Sequence, residues 1–162
     1  MKKAFPKSSP LMPILALCMP ASGILSLVST VGFIELAAGS KEWHKKMPLL
    51  TAGALCAAVA LIPGSLTENW LMAALFLLFI PVAFLLLKPA GRKEKLGFLL
   101  YGLLCALLMG LSIGRAVLAS GDLTQVTLEQ LNTYTKLGAA IFRVDLARCV
   151  TGLVLLLSKE NA

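Results

Sequence analysis

Residues 137–157, LGAAIFRVDLARCVTGLVLLL, decide how this chain folds, because they are long enough to cross a bilayer and yet carry three charges. A helix needs about 20 apolar residues to cross the hydrocarbon core of a membrane. Arg143, Asp145 and Arg148 lie in the middle of this stretch, where each charge would cost about 2.5 to 3.5 kcal/mol on insertion scales. These charges therefore need partners inside the protein.

The composition agrees with a membrane protein. The 162 residues are 58% hydrophobic and only 14% charged, with a mean hydropathy of +0.86. The net charge is +7, but the basic residues form short blocks beside apolar runs, as in loops that set membrane topology. No basic face is interleaved with aromatic residues, so nucleic-acid binding is not expected. We predict an all-α, polytopic membrane helix bundle forming one integral domain, multi-pass in the bacterial inner (cytoplasmic) membrane.

Five apolar stretches are long enough to be transmembrane helices. They are residues 11–38, 47–64, 70–87, 96–119 and 137–157. The first is so long that it must tilt strongly or break, and Pro20 offers a site for a kink. Because its apolar sequence continues well beyond the length of a signal peptide, we expect it to be retained.

The loops between these stretches alternate in charge. KEWHKK and KPAGRKEK are basic, whereas SLTEN and SGDLTQVTLEQLNTY are neutral to acidic. The positive-inside rule places the basic loops in the cytoplasm. The basic N-terminus, with Lys2, Lys3 and Lys7, would then lie outside if the first stretch crosses completely. A re-entrant or interfacial piece at residues 11–19 would keep it inside, so both topologies remain open.

Helical spacing predicts which charges of the last stretch can meet. At 100° per residue, Asp145 and Arg148 share a face, whereas Arg143 points roughly 160° away from Asp145. We expect a local Asp145–Arg148 pair and a different partner for Arg143. Gly138 and Gly152 flank Asp145 at seven-residue intervals, which is typical of a face that packs closely against another helix.

The stretch 96–119 offers neighbours for these charges. Tyr101, Ser112 and Arg115 fall on one of its sides at helical spacings. Arg115 is near the outer end of this helix, so we expect Arg115, Arg143 and Asp145 to lie together in the outer half of the bundle.

Glu35 lies near the cytoplasmic end of the first stretch, where it could reach only Arg148. Two roles remain open for these polar side chains. They can pair to lock the bundle or dock another subunit, or they can form an electropositive pocket for a quinone ring, a lipid phosphate or a small anion. The candidate ligand-binding or helix-pairing residues are Glu35, Tyr101, Ser112, Arg115, Arg143, Asp145 and Arg148.

No enzyme signature is present. The sequence has no nucleophile elbow, phosphate-binding glycine loop or HExxH motif. Cys18, Cys56, Cys105 and Cys149 are widely spaced, which argues against a metal site or a redox pair. With His44 as the single histidine, a haem held by two histidines is excluded within this chain. We expect no catalytic centre and no metal.

Residues 107–121, LLMGLSIGRAVLASG, resemble the last helix of the membrane-anchor subunit of dimethyl sulfoxide reductase-type molybdoenzymes. The shared pattern, Gly-x-x-Ile-Gly-Arg, is formed here by Gly110, Ile113, Gly114 and Arg115. The order of segments upstream is also similar to that of the anchor subunit: one span ends in LAAGSKEWHKKMPLL, and after another span an external Trp70 opens the third. The resemblance covers about residues 11–121, the second half of that subunit, and RVDLARC has no counterpart in it.

This resemblance implies a non-catalytic subunit that anchors a redox complex of anaerobic electron transport. It implies partners that carry iron–sulfur or molybdopterin groups, in addition to the lipid bilayer. No cofactor would be bound by this chain itself, although menaquinone could be contacted in a menaquinol pocket. The residues available for such a pocket are Arg115, Arg143, Asp145 and Arg148.

Two other functions remain open from the residues alone. The chain could be a small transporter or channel in which the same side chains line a path for an anionic or polar solute. It could also be a structural or assembly protein without a ligand, if every intramembrane charge is paired within the bundle.

Overall fold

The computed structural model describes residues 10–18, 24–62, 64–121 and 126–160, and this part of the chain is all-α. It contains six helices: α1 (Leu11–Cys18), α2 (Ile24–Gly39), α3 (Trp43–Leu61), α4 (Ser65–Leu87), α5 (Arg92–Ala119) and α6 (Leu128–Glu160). Helices that follow one another in the chain pack side by side, and α1 also packs against α6. The helices therefore close into a ring in which α1 lies between α2 and α6.

The apolar stretches locate the helices but not their first residues. Four helices begin earlier than predicted: α3 at Trp43, α4 at Ser65, α5 at Arg92 and α6 at Leu128. Hydropathy shows only where the apolar residues end. Polar residues such as Glu, Lys, Arg and Gln have good helix propensity, so a helix can extend beyond its apolar stretch. Part of the predicted loop at residues 120–136 is consequently the beginning of α6.

The first predicted stretch, residues 11–38, forms two helices. A β-carbon on Gly32 would lie 3.2 Å from Cβ of Leu15, whereas one continuous helix would separate these residues by about 25 Å. Of the two alternatives for this long stretch, to tilt or to break, the structure shows the break, and the N-terminal piece folds back on α2. Pro20, the predicted kink, lies outside the described residues.

The two ends of the ring differ in charge. We call the end at Lys41 and Lys88 the basic end, because the loops α2–α3 and α4–α5 lie there. The opposite end, at Gly64 and Ser120, we call the polar end. The short α1 begins nearer the basic end, since Leu15 lies level with Gly32 in the middle of α2 and the carbonyl of Leu17 lies deeper in the bundle.

The carboxyl end of α1 reaches the middle of the bundle. The carbonyl of Leu17 accepts hydrogen bonds from Tyr101 and Arg148. Tyr101 is nine residues from the basic end of α5 and Arg148 twelve residues from that of α6, which at 1.5 Å per residue is about 13 to 18 Å deep. Helix α1 therefore enters the bundle only halfway.

The apolar core takes residues from all six helices, and its phenylalanine rings come from α2 and α4. The rings of Phe33 and Phe79 are 6.0 Å apart, and those of Phe76 and Phe79 are 6.3 Å apart. Helix α3 approaches α2 closely at Gly53, where a β-carbon would lie 3.3 Å from Cβ of Phe33. Thr30 donates a hydrogen bond to the Gly53 carbonyl at 3.2 Å, so a polar contact accompanies the close packing.

By length and composition, two helices of the described chain, α4 and α5, could cross a membrane. Helix α2 is apolar but has 16 residues. Helix α3 begins with the polar residues His44, Lys45 and Lys46, and α6 carries three charges within its apolar part. Length and composition alone thus single out two helices rather than the five expected.

Helix α6 is closely packed at Gly152. A β-carbon there would lie 3.2 Å from the Leu17 carbonyl oxygen and 3.3 Å from Cε2 of Tyr101, whereas one on Gly110 of α5 would meet nothing within 4 Å. We therefore expect Gly152→Val to lower the free energy of unfolding by about 1 to 3 kcal/mol. Gly110→Val should change it by less than about 0.5 kcal/mol.

The measurement is unfolding of the purified full chain in mild detergent, followed by circular dichroism. Both variants make the same change inside a helix, so the difference between them reports the contacts of Gly152 with Leu17 and Tyr101. Equal effects of the two substitutions would contradict the described packing at Gly152.

Candidate functional site

The side chain of Arg148 is completely buried in the middle of α6. Its Nε donates a hydrogen bond to Oδ1 of Asp145 at 2.7 Å, which makes the two residues an ion pair. The pair forms because residues three apart lie on one face of a helix. Asp145 is also buried, so both charges are removed from solvent.

Three further helices contribute to the binding of the Arg148 guanidinium. Its Nη1 donates to the Leu17 carbonyl of α1 at 3.0 Å and to the Tyr101 hydroxyl of α5 at 2.9 Å. The ring of Phe79 in α4 lies 4.3 Å from the guanidinium carbon, and Nη2 is 3.6 Å from Sγ of Cys149. We call these groups, together with Asp145, the Arg148 cluster.

The Leu17 carbonyl suits this position because it lies at the end of a helix. The last carbonyls of a helix have no partner within it, and the helix dipole gives this end a partial negative charge. A cation that donates hydrogen bonds satisfies both requirements. Gly152 permits the approach, since a β-carbon there would lie 3.2 Å from the Leu17 oxygen.

The Arg148 cluster is chemically closed. Arginine stays protonated in proteins, and the carboxylate of Asp145 neutralises it. A carbonyl, a hydroxyl and an aromatic ring take up the other faces of the guanidinium. An arrangement of this kind fixes four helices relative to one another rather than offering a free charge to a ligand.

Arg115 lies in a different place, near the polar end of α5. Its guanidinium carbon is 4.1 Å from the centroid of the Tyr134 ring, and a β-carbon on Gly138 would lie 3.4 Å from that carbon. Gly138 precedes Asp145 by seven residues, so about 10 Å along α6 separates Arg115 from the Arg148 cluster. In the described part of the chain, no carboxylate lies within 4 Å of Arg115.

Two buried polar atoms of α5 lack hydrogen-bond partners near this point. They are Oγ of Ser112, a residue that is completely buried, and Nε of Arg115. One helical turn separates the two residues, which places them on the same face. The Tyr134 hydroxyl accepts a hydrogen bond from Nδ2 of Asn69 at 3.5 Å. We call Ser112, Arg115, Tyr134 and Gly138 the Arg115 site.

The charged residues that were expected to lie together are found at separate positions in the structure. Arg143 is exposed on the side of α6 that faces away from Asp145, and Glu35 is exposed on α2. Of the candidate residues, Asp145, Arg148 and Tyr101 come together in one cluster, while Ser112 and Arg115 form another. The four residues named for a menaquinol pocket therefore lie in three places: Asp145 and Arg148 in one cluster, Arg115 toward the polar end of α5, and Arg143 on the exposed side of α6.

Several contributors carried no signal in the sequence. The Leu17 carbonyl is a backbone group, and Phe79 is one of many apolar residues in α4. Tyr134 lies in a stretch predicted as loop, and Asn69 immediately precedes the predicted start of its helix. For Tyr134 and Asn69 the sequence did offer a signal, their position just before an apolar stretch. A helix that begins before its apolar stretch brings such polar residues into the bundle.

An apolar groove of about 420 Å³ lies on the surface near the basic end, where α3, α4 and α5 meet. It is lined by His44, Pro48, Ile80, Pro81, Phe84, Leu85 and Phe98. At its edge, Nε2 of His44 is 3.0 Å from Oε2 of Glu42. Among the described residues, no group of three His, Cys, Asp or Glu side chains could hold a metal ion.

The described part of the chain is an all-α bundle in which Arg148 is paired with Asp145, whereas Arg115 has no ion pair. Comparison with protein-family models, with curated proteins and with solved structures finds no match. The function of the chain is therefore inferred from its own contacts, charges and exposed surface.

We expect the Arg148 cluster to dominate the stability of the bundle. Arg148→Met should lower the free energy of unfolding by about 3 to 5 kcal/mol, because it leaves the Asp145 carboxylate buried without its cation. The double variant Asp145→Leu with Arg148→Met should recover most of that loss, because it removes both charges.

Thermal unfolding of the purified full chain in detergent measures these differences. Arg143→Gln is the matched control, since it removes a positive charge from an exposed position of the same helix and should have little effect. If the double variant is no more stable than Arg148→Met, the pair does not act as a unit.

Proposed function

We propose that the chain is a multi-pass integral membrane protein without a catalytic centre of its own. The observation that carries this proposal is the distribution of polarity around α6. Arg148 has no exposed surface, while Phe142 is 66%, Leu146 57% and Val150 54% exposed. A protein in water would bury these apolar side chains and expose the charge, whereas lipid favours the arrangement found here.

The other long helices support the same proposal. Large apolar side chains are exposed along their length, including Ile24, Val31, Leu77, Phe84, Leu103, Leu107 and Val117. A continuous apolar surface of this extent is uncommon on soluble monomers. Trp43 and Trp70 are exposed near opposite ends of the bundle, at positions that suit the two interfaces of a membrane.

In this proposal four helices, α3 to α6, cross the membrane, and α1 with α2 forms a hairpin that enters and leaves at the basic end. The positive-inside rule assigns the basic end to the cytoplasm. Because α1 begins at that end, the N-terminus need not lie on the opposite side. Lys2, Lys3 and Lys7, which raised that conflict, lie outside the described residues. The membrane would be the bacterial inner membrane.

An anchoring role fits the interior better than a transport role. In the Arg148 cluster the two buried charges neutralise each other, and Arg148 donates its other hydrogen bonds to the Leu17 carbonyl and the Tyr101 hydroxyl. A path for ions instead needs polar groups that face a water-filled cavity. We therefore propose a membrane subunit whose rigid bundle holds a partner at the bilayer.

The specific form of this proposal is the anchor of a redox complex with iron–sulfur or molybdopterin subunits. Its support is the resemblance of residues 107–121, and with them Arg115, to the anchor of dimethyl sulfoxide reductase-type enzymes. The chain itself would then supply attachment and no redox centre.

Single cysteines test the proposed topology. In a variant with Cys18, Cys56, Cys105 and Cys149 replaced by Ala, a cysteine is introduced at Leu11, Lys41 or Gly121. A membrane-impermeant maleimide added to intact spheroplasts should label Gly121→Cys only. After permeabilisation it should also label Leu11→Cys and Lys41→Cys.

Labelling of Leu11→Cys together with Gly121→Cys would mean that α1 starts on the outer side, against the proposed hairpin. Recovery of the chain in the soluble fraction would contradict the membrane assignment itself.

Purification of the tagged full chain from its native host in mild detergent tests the redox form. We expect an iron–sulfur or molybdopterin subunit to elute with it and to be absent from an untagged control. Elution of the chain alone would contradict the redox form while leaving the membrane assignment intact.

Anion flux in liposomes that Arg143→Ala abolishes would favour the transporter instead.

A further inference from the structure

We infer that the Arg115 site binds a phosphate group, supplied either by an anionic phospholipid head group or by free phosphate. The inference begins with the charge of Arg115. Among the described residues no carboxylate lies within 4 Å of Arg115, and its guanidinium donates no hydrogen bond. Arg115 therefore lacks the carboxylate that neutralises Arg148.

The contact with Tyr134 leaves the terminal nitrogens of Arg115 without a hydrogen-bond partner in the described chain, whereas Nε is buried. A guanidinium stacked on an aromatic ring uses its face, whereas its N–H groups lie in the plane and point outward. The guanidinium carbon is 4.1 Å from the ring centroid and packs against α6 at Gly138. Stacking of this kind fixes the orientation of the fork without saturating it.

The neighbouring polar groups are also donors. Ser112 is completely buried and its hydroxyl has no hydrogen-bond partner in the described chain. The Tyr134 hydroxyl oxygen accepts from Asn69, which leaves its own proton free to be donated. A cluster that offers N–H and O–H donors and a positive charge requires a ligand with several acceptor oxygens. Phosphate meets that requirement, and arginine binds it in bidentate geometry.

The position of the site agrees with a lipid source. Arg115 is four residues from the end of α5, or about 6 Å along the helix. Under the proposed function this depth lies beside the head-group region, and exposed Trp70 marks the same end of the bundle. The lipid source thus rests on the proposed membrane location, whereas phosphate binding by the Arg115 site does not.

Binding to the purified full chain in an uncharged, phosphate-free detergent tests the inference. The probes are inorganic phosphate, followed by calorimetry, and phosphatidylglycerol, followed by native mass spectrometry. Diacylglycerol with the same acyl chains serves as the lipid that lacks a phosphate. We expect saturable, single-site binding of at least one phosphate probe and no binding of diacylglycerol at this site.

Substitutions connect that binding to the site. Arg115→Gln should weaken it about tenfold, because a charge-assisted hydrogen bond is lost. Ser112→Ala should weaken it about threefold, and Arg115→Lys should retain part of the affinity because it keeps the charge without the fork. Arg143→Gln, which removes an exposed charge from the same bundle, should bind as the unmodified chain does.

The outcomes separate the sources and the alternatives. Binding of phosphatidylglycerol that inorganic phosphate hardly displaces identifies the lipid, and equal competition identifies free phosphate. Unchanged binding in Arg115→Gln, an equal loss in Arg143→Gln, or binding of a menaquinone analogue without binding of either phosphate probe would overturn the inference. If Arg115→Gln does not fold, the binding of the phosphate probes by Ser112→Ala and Arg115→Lys provides the same test.

The calorimetric arm needs no membrane, so it can fail or succeed independently of the cysteine labelling that tests the proposed topology. A chain that inserts as proposed but binds neither phosphate probe would keep the proposed function and lose this inference.

Discussion

The guanidinium of Arg148 is buried, and the packing of the bundle depends on providing partners for this one charge. Removing an ionised group from water carries a penalty of several kcal/mol unless hydrogen bonds and an opposite charge replace the solvent. Asp145 supplies the charge from the same helix, and the remaining partners come from α1, α4 and α5. Four helices must therefore keep their positions for the charge to be tolerated.

The short length of α1 follows from the same condition. A helix that crossed the whole bundle would place its free carbonyls at the far surface, whereas one that stops halfway brings them to the depth of Arg148. Membrane transporters use the ends of broken helices for ions in a comparable way. Here the ion is part of the protein, so the helix end serves to fix the bundle.

The two interior arginines show how surroundings separate structural from binding roles. Arg148 has a carboxylate, a carbonyl and a hydroxyl within 3.0 Å and is completely buried. Arg115 lies 4.1 Å from the centroid of the Tyr134 ring, and its buried Nε has no hydrogen-bond partner in the described chain. The first arrangement exhausts the hydrogen-bonding capacity of the side chain, and the second leaves it for a ligand that carries acceptor oxygens.

The sequence by itself determined the helical class, the approximate helices and the Asp145–Arg148 pair, because hydropathy and a spacing of three residues act locally. It also indicated that Gly138 and Gly152 face the bundle. Only the tertiary structure decided that residues 11–38 fold into two helices, that the Leu17 carbonyl reaches Arg148, and that Tyr134 lies beneath Arg115. These contacts join residues far apart in the chain, and a backbone carbonyl has no identity in a sequence, so their geometry depends on how the helices pack.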